Sequence, residues 1–167
     1  MAESAFFPNR SGWKKAVSVL LENEPAFEKV IQANHGHQLT VQRARSVYEY
    51  LLRAIVYQQI TGSAAATIHG NFLKLFPGYR PNPDRLLRMS ETKLRSTGLS
   101  RPKLKAIRDL ASFQKQRLLP GFAKLGRMDD EEIIEKLTAV HGVGVWTVQM
   151  LLIFQLARPD VLPAHDL

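Results

Sequence analysis

Cysteine is absent from the 167 residues of the chain. Its absence excludes disulfides, a cysteine nucleophile, zinc–thiolate sites and iron–sulfur clusters bound through cysteine. Acidic residues are also few, because 15 Asp and Glu stand against 23 Lys and Arg, which gives a net charge of +8 and a pI near 10.0. A basic balance of this size is typical of proteins that bind a polyanion.

The positive charge is concentrated in one part of the chain. Residues 74–127 contain 14 Lys and Arg but 3 Asp and Glu, whereas the rest of the chain has a small acidic surplus. Two interpretations stay open for this basic segment. It is either a solvated surface that favours solubility or a side of the protein that faces phosphate groups.

Long apolar runs are scarce as well. Leu137–Ala157 contains no Asp, Glu, Lys or Arg, but it includes a histidine, two glycines and two glutamines, which a lipid-facing helix tolerates poorly. We therefore expect this stretch to be buried and the protein to have no membrane partner. The first residues also lack a basic region followed by a long apolar stretch, so no secretion signal is expected.

Apolar residues recur with the period of a helix along most of the chain, and no stretch alternates for the length of a strand. The sequence therefore predicts an all-α protein, with residues 1–167 in one domain. The helices are expected near these residues: 13–21, 25–32, 42–58, 64–75, 83–97, 101–116, 131–139 and from 145 onward. A break is expected at Asn34–His37.

Polar residues mark the expected helix starts. Ser63, Asn82 and Ser100 are predicted N-caps, and prolines just inside the last two helices fit the first helical turn. Asp129, followed three residues later by Glu132, resembles a capping box for the helix over 131–139.

The most informative segment is Leu137–Val148, with the sequence LTAVHGVGVWTV. One helix is expected to end at Val140 and a second, wholly apolar one to begin near Val145. Glycine allows the positive φ of a tight turn and lets a phosphate approach the backbone. The start of the second helix offers unpaired N–H groups and a positive dipole end. The segment can therefore bind a phosphate, although a purely structural turn uses glycine in the same way.

This segment resembles the motif of the helix-hairpin-helix (HhH-GPD) superfamily of base-excision DNA glycosylases, Leu-x-x-Leu-Pro-Gly-Val/Ile-Gly-x-x-Thr-Ala. Five positions match: Leu137, Val140, Gly142, Gly144 and Thr147. His141 replaces the proline of the motif and Val148 replaces its alanine. The motif with its two helices covers about residues 130–157.

The resemblance implies how the chain binds DNA. Its DNA phosphate contacts are expected from Gly142, Val143, Gly144 and Thr147. It also implies a two-lobed helical fold, with the DNA and active-site cleft between the lobes.

A carboxylate follows the motif at the spacing of the alkylation-repair branch. Asp166 stands 20 positions after Trp146, and the resemblance implies that Asp166 is the catalytic residue. An N-cap role is equally open for Asp166 from its sequence surroundings, and the two roles are compatible. Other members continue with further helices after this aspartate, so the resemblance implies that C-terminal helices are missing from this chain.

Residues 54–66 resemble the helix–loop–helix that faces the minor groove at the lesion in the same family. The resemblance implies that Gln59, with Ile60 as the second choice, fills the gap left by the extracted base. A structural alternative is that Gln58 and Gln59 form hydrogen bonds across a helical interface. A softer resemblance covers Gly98–Lys103.

Trp146 stands just before the motif threonine, where a lysine would attack the sugar and permit strand cleavage. The resemblance therefore implies a monofunctional 3-methyladenine DNA glycosylase without lyase activity. Trp146, Tyr57 and Met150 are expected to form the base pocket, since an aromatic face attracts a cationic alkylated purine. A tryptophan among valines is as often a core residue.

The expected reaction is hydrolysis of the N-glycosidic bond to 3-methyladenine or 7-methylguanine, after the damaged nucleotide is rotated out of double-stranded DNA. We expect a monomer that needs no metal or other cofactor, although the resemblance allows a monovalent cation at the hairpin. The expected location is inside the cell, at a bacterial nucleoid or in a eukaryotic nucleus.

Other functions stay open. The first is a glycosylase for uracil or for another deaminated or oxidised base. The second is a non-catalytic helix-hairpin-helix module that binds DNA, and the third is a helical adaptor between proteins.

Overall fold

The computed structural model describes residues 10–34, 44–158 and 160–164, and every regular element in these ranges is a helix. The helices are α1 Arg10–Asn23, α2 Glu28–Ala33, α3 Val47–Tyr57, α4 Gly62–Leu73, α5 Pro83–Arg88, α6 Glu91–Arg95, α7 Arg101–Lys115, α8 Phe122–Leu125, α9 Asp130–Thr138 and α10 Val145–Phe154. Short 3₁₀ turns cover Pro25–Phe27 and Pro77–Tyr79. The all-α prediction is confirmed. The predictions of a single domain and of a cleft between two lobes remain predictions.

Two of the predicted N-caps are confirmed by their hydrogen bonds. The side chain of Asn82 accepts from the N–H of Arg85 at 2.9 Å, and the hydroxyl of Ser100 accepts from the N–H of Lys103 at 3.5 Å. Between them the chain forms two short helices where one was expected, because Ser90 caps α6. Polar caps therefore set most of the helix starts around α7.

Other predicted starts are wrong. α3 begins at Val47 rather than at residue 42, because Ser46 has an extended backbone and its hydroxyl accepts the N–H of Glu49 as the N-cap. α4 begins at Gly62, so Ser63 lies inside the helix instead of capping it. Asp129 is the N-cap residue of α9 but its side chain makes no capping hydrogen bond, so the predicted capping box is absent.

The core forms around α7 and α3. α7 packs against α3, α5 and α6, and α10 packs against α9 and α3. The predicted apolar stripe of α3 is buried at Val47, Leu51 and Ile55, whereas Ala54 is half-buried. Full burial of a leucine or isoleucine side chain contributes about 1.5–3 kcal/mol. α3, α7 and α10 therefore form the packed core that supports the turns at the surface.

α10 departs from the expectation of a fully buried helix. One side is buried at Thr147, Val148, Leu151 and Leu152. Val145, Trp146 and Phe154 are 50%, 43% and 36% exposed. In the ranges that the structure describes, no helix combines the length and the apolarity needed to cross a membrane. An apolar helix face open to solvent is a common mark of a binding surface.

Candidate functional site

The turn between α9 and α10 is anchored by two valines. Val140 and Val143 are buried, and the N–H of Val143 donates to the carbonyl of Val140 at 3.0 Å. His141, Gly142 and Gly144 are exposed beside them. The apolar residues thus hold the turn to the core, while the residues between and after them face solvent.

The two glycines of the turn are needed for different reasons. Gly142 has φ +83°, and a Cβ added there would lie 2.6 Å from the Cβ of Ala106 on α7. Gly144 has φ −93°, and a Cβ added there would have nothing within 4 Å. Backbone conformation and packing therefore require glycine only at Gly142. At Gly144 the missing side chain leaves open space in front of the backbone.

This open space lies at the start of α10. Gly144 is the N-cap, and the first hydrogen bond of the helix runs from the N–H of Val148 to the carbonyl of Gly144 at 3.2 Å. The N–H groups of residues 145–147 precede that bond and have no acceptor within the helix. Together with the positive end of the helix dipole they form a place where an anion can bind.

Contacts from two other helices fix the turn. A carboxylate oxygen of Asp109 on α7 accepts the N–H of His141 at 2.8 Å. The Nε2 of Gln58, just after α3, donates to the carbonyl of Gly142 at 3.0 Å. The change from proline to histidine at 141 therefore keeps the turn and adds a donor, since proline has no N–H.

Asp109 provides a test of this anchoring. Replacing Asp109 by alanine leaves the N–H of His141 without its acceptor, and we expect the free energy of unfolding to fall by about 1 kcal/mol. Replacement by asparagine keeps an acceptor oxygen and is expected to cost less. Urea denaturation of both variants measures the two losses, and equal losses would contradict the assigned hydrogen bond.

The loop between α3 and α4 lies next to the turn. Gln59 is exposed and has φ +55°, and Ile60 is 37% exposed. A non-glycine residue in the left-handed region costs about 1 kcal/mol, and such strain is often found at functional sites. The interface hydrogen bond comes from Gln58, as in the structural alternative, while Gln59 projects at the surface.

Lys103 is a site residue that sequence reasoning missed. Its Nζ donates to the carbonyl oxygens of Val56 and Gln58, at 2.7 Å in each case. Burial lowers the pKa of its ammonium group. The only signal in the sequence was the soft resemblance of Gly98–Lys103. That signal did not predict a contact with residues some 45 positions earlier.

The predicted base-pocket residues lie on two helices that pack together. Trp146 and Met150 are one turn apart on the same face of α10, and Tyr57 is the last residue of α3. The guanidinium of Arg53 covers the ring of Tyr57 at 4.1 Å, and His69 meets it edge-on at 6.0 Å between ring centroids. Sequence reasoning missed both of these neighbours.

A recess of about 840 Å³ lies alongside α3 and the end of α10, and none of the three predicted base-pocket residues lines it. Its lining includes Arg53, His69 and Phe154. Burial lowers the pKa of His69, and Arg53 lowers it further. The charged residues of the lining are Arg45, Arg53 and Glu49, so the recess has charges of both signs.

The cations of the basic segment 74–127 do not all have the same role. Lys103 caps α3, and the guanidinium of Arg108 donates to the carbonyls of Leu87 and Met89 at the end of α5. These two cations stabilise helix ends inside the protein. Lys105 on α7 is exposed and available to a polyanion, whereas the exposed Arg101 lies 4.0 Å from a carboxylate oxygen of Glu91.

Asp166 lies outside the residues that the structure describes. The structure describes the segment that leads to Asp166 as far as residue 164. Arg158 anchors the start of this segment. The Nη2 of Arg158 donates to the carbonyl of Met128 at 2.8 Å, and its Nε lies 3.4 Å from a carboxylate oxygen of Asp130. Burial raises the pKa of Asp130, and Arg158 opposes that shift. The segment after α10 is therefore fixed to the start of α9.

Comparison with known proteins agrees with the geometry. Residues 52–167 match the family described as HhH-GPD superfamily base excision DNA repair protein. DNA-3-methyladenine glycosylase 1 of Schizosaccharomyces pombe is 39% identical over 121 residues, which cover 72% of this chain and 53% of that protein. The chain thus spans about half the length of this relative.

Solved structures show the same fold. The S. pombe 3-methyladenine DNA glycosylase in complex with abasic DNA superposes with a TM-score of 0.76 at 32% identity, over 84% of this chain and 69% of that one. A DNA-3-methyladenine glycosidase from Bacillus halodurans gives a TM-score of 0.77 at 32% identity, over 90% and 68%. The chain therefore belongs to the HhH-GPD superfamily of base excision DNA repair proteins.

Proposed function

We propose that the chain carries the lesion-recognition site of a monofunctional DNA glycosylase that removes alkylated purines, among them 3-methyladenine and 7-methylguanine. The observation that carries this proposal is the hydrogen bond from Gln58 to Gly142, which places the Gln59 loop beside the phosphate-binding turn. This arrangement suits base flipping, because phosphate contacts fix the position of the protein on the duplex while the damaged nucleotide is rotated out of the stack.

Binding begins at the turn. The free N–H groups at the start of α10 donate hydrogen bonds to a DNA phosphate, and Gly144 leaves room for it. Exposed cations of the basic segment strengthen the hold on double-stranded DNA, so affinity falls as salt rises. The protein acts as a monomer in this scheme, since the turn and the loop belong to one chain.

The damaged base then leaves the stack, and Gln59 fills the gap, with Ile60 next to it. The base reaches the exposed face of α10, where Trp146 presents 43% of its surface. A purine alkylated at N3 or N7 is cationic, and the face of an indole ring attracts a cation. Tyr57 and Met150 complete the pocket in this proposal.

The bond that breaks joins C1′ of the sugar to the purine nitrogen. The cationic base departs as a neutral molecule with the bonding electron pair, and the sugar becomes oxocarbenium-like. The carboxylate of Asp166 stabilises that charge, and a water adds to C1′ while its proton passes to the carboxylate or to solvent. Trp146 cannot form the imine that a lysine would form, so the abasic strand stays uncut.

The carbonyl oxygens of the turn between α9 and α10 are the groups that would bind a monovalent cation at the hairpin. The carbonyls of Val140 and Gly142 already accept hydrogen bonds from Val143 and Gln58. A carbonyl oxygen has a second lone pair, so these groups can still serve as ligands. Such an ion would add positive charge near the phosphate, and the residues described above carry out the reaction without it.

Single-turnover release of purines from methylated duplex DNA tests the proposal. We expect free 3-methyladenine and 7-methylguanine, together with abasic strands that remain uncut until alkali is added. Strand cleavage without alkali would contradict the monofunctional mechanism. Salt-sensitive binding without release would instead favour another lesion, such as uracil or an oxidised base, or a non-catalytic DNA-binding module. Absence of salt-sensitive binding would favour a protein adaptor.

A further inference from the structure

The side chain of Lys103 anchors the C-terminal end of α3, and the proposed reaction assigns no role to it. Lys103 donates to the carbonyls of Val56 and Gln58. The last carbonyl groups of a helix have no partner within it and form the negative end of its dipole. A lysine ammonium brings a positive charge and three donors to such an end.

The position of Lys103 in the fold makes this a rigid support. α7 is a central helix, and its residues Ile107 and Leu110 are fully buried. The ammonium group is partly buried, which weakens its contact with water and leaves the two carbonyls as its partners. Lys103 therefore connects the end of α3 to the core rather than to solvent.

The next residue along the chain is the one that we assign to the DNA gap. Gln58 is fixed at both ends, because Lys103 holds its carbonyl and the turn holds its side-chain amide. Gln59 follows directly in the left-handed conformation. The direction in which Gln59 leaves α3 is thus set by the two contacts of Gln58.

We infer that Lys103 is a positioning residue, which holds the α3–α4 loop so that Gln59 projects at a fixed place beside the phosphate-binding turn. The inference rests on the proposed function, because that function assigns the gap to Gln59. Without Lys103 fewer contacts hold the left-handed backbone of Gln59, a conformation that side chains other than glycine disfavour. Gln59 then fills the gap in a smaller fraction of protein–DNA complexes, although the N–H groups at the start of α10 still bind the phosphate.

The test measures unstacking separately from excision. The full chain is bound to a duplex with 2-aminopurine beside a tetrahydrofuran abasic analogue, and the rise in fluorescence is recorded at saturating protein. We expect a clear rise for the wild type and a much smaller one for Lys103→Met. Single-turnover purine release at saturation is expected to fall about tenfold, as for other small misplacements. Lys103→Arg should regain most of both signals, since a guanidinium has donors for two carbonyls.

Lys29→Met is the matched control. It removes the same charge from an exposed position on α2, outside the basic segment 74–127. We expect the wild-type fluorescence rise and the wild-type rate of purine release. If circular dichroism shows that Lys103→Met is unfolded, Lys103→Gln, which keeps one shorter donor, is measured instead and should change in the same direction.

A folded Lys103 variant with the wild-type fluorescence rise would overturn the inference, and so would an equal loss in Lys29→Met. The proposed function fails separately, if the wild type unstacks the duplex but releases no alkylated purine. In that case the fluorescence of the Lys103 variants still decides the role of Lys103.

Discussion

Replacing Asp166 by asparagine is expected to lower the single-turnover rate of alkylpurine release about a hundredfold to a thousandfold, with little change in DNA affinity. Asparagine keeps the shape of the side chain but loses the negative charge that, in the proposed function, stabilises the oxocarbenium-like sugar. In that proposal backbone N–H groups at the start of α10 bind the DNA phosphate, so binding should not depend on this carboxylate. Release from methylated duplex DNA and fluorescence anisotropy of binding measure the two quantities.

Asp160 is the matched control for this prediction. It is an exposed carboxylate six residues earlier on the same segment, and no role is assigned to it. Asp160→Asn therefore removes the same charge and should release purines at nearly the wild-type rate. If Asp166→Asn stays active, the catalytic carboxylate lies elsewhere. Equal losses in both variants would point to the charge of the segment rather than to Asp166.

The two glycines of the turn should respond in opposite ways. Gly142→Ala places a Cβ 2.6 Å from that of Ala106 and forces an L side chain into φ +83°. The backbone cost is about 1–2 kcal/mol and the overlap about 1–3 kcal/mol, so we expect a loss of stability of about 2–5 kcal/mol. The midpoint of thermal unfolding should then fall by about 4–20 °C for a chain of this size.

Gly144→Ala is the counterpart. Its Cβ meets nothing within 4 Å and its φ is ordinary, so stability should change by less than about 1 kcal/mol. The added methyl group occupies the space in front of the free N–H groups, so DNA affinity should fall about tenfold or more, because even one lost charge-assisted hydrogen bond is worth about 1.5–3 kcal/mol. Normal affinity for Gly144→Ala would mean that the phosphate does not dock at this turn.

Local signals in the sequence predicted much of the fold. Asn82 and Ser100 were identified as caps because a short polar side chain before a proline-led helix has few other roles. Ser63 was misassigned because Thr61 and Gly62 offer an equally good helix start two residues earlier. The start of α3 was placed too early, since apolar spacing continues into residues before Ser46. Small differences in free energy between neighbouring cap positions therefore decide where a helix begins.

The position of the turn and the exposure of the α3–α4 loop could be predicted from short segments, because the glycines and Gln59 stand beside the helix ends in the sequence. The roles of Gly142, Gly144, Gln59 and Trp146 in binding and catalysis stay predictions. Lys103 and Asp109 were missed because their partners are 45 and 32 positions away in the chain. Pairings at that distance depend on how α7 packs against α3, which no local pattern encodes.

The hairpin turn is already ordered before any ligand arrives. Fixing the backbone of one residue costs about 1–2 kcal/mol in conformational entropy, and for residues 141–144 that cost is met during folding, by the Asp109 and Gln58 hydrogen bonds and the Ala106 packing. A phosphate that docks at the turn therefore loses only its own freedom and its hydration. In the proposed function the turn is a rigid template for the phosphate, so substitutions that loosen the turn should weaken docking even where every N–H group is retained.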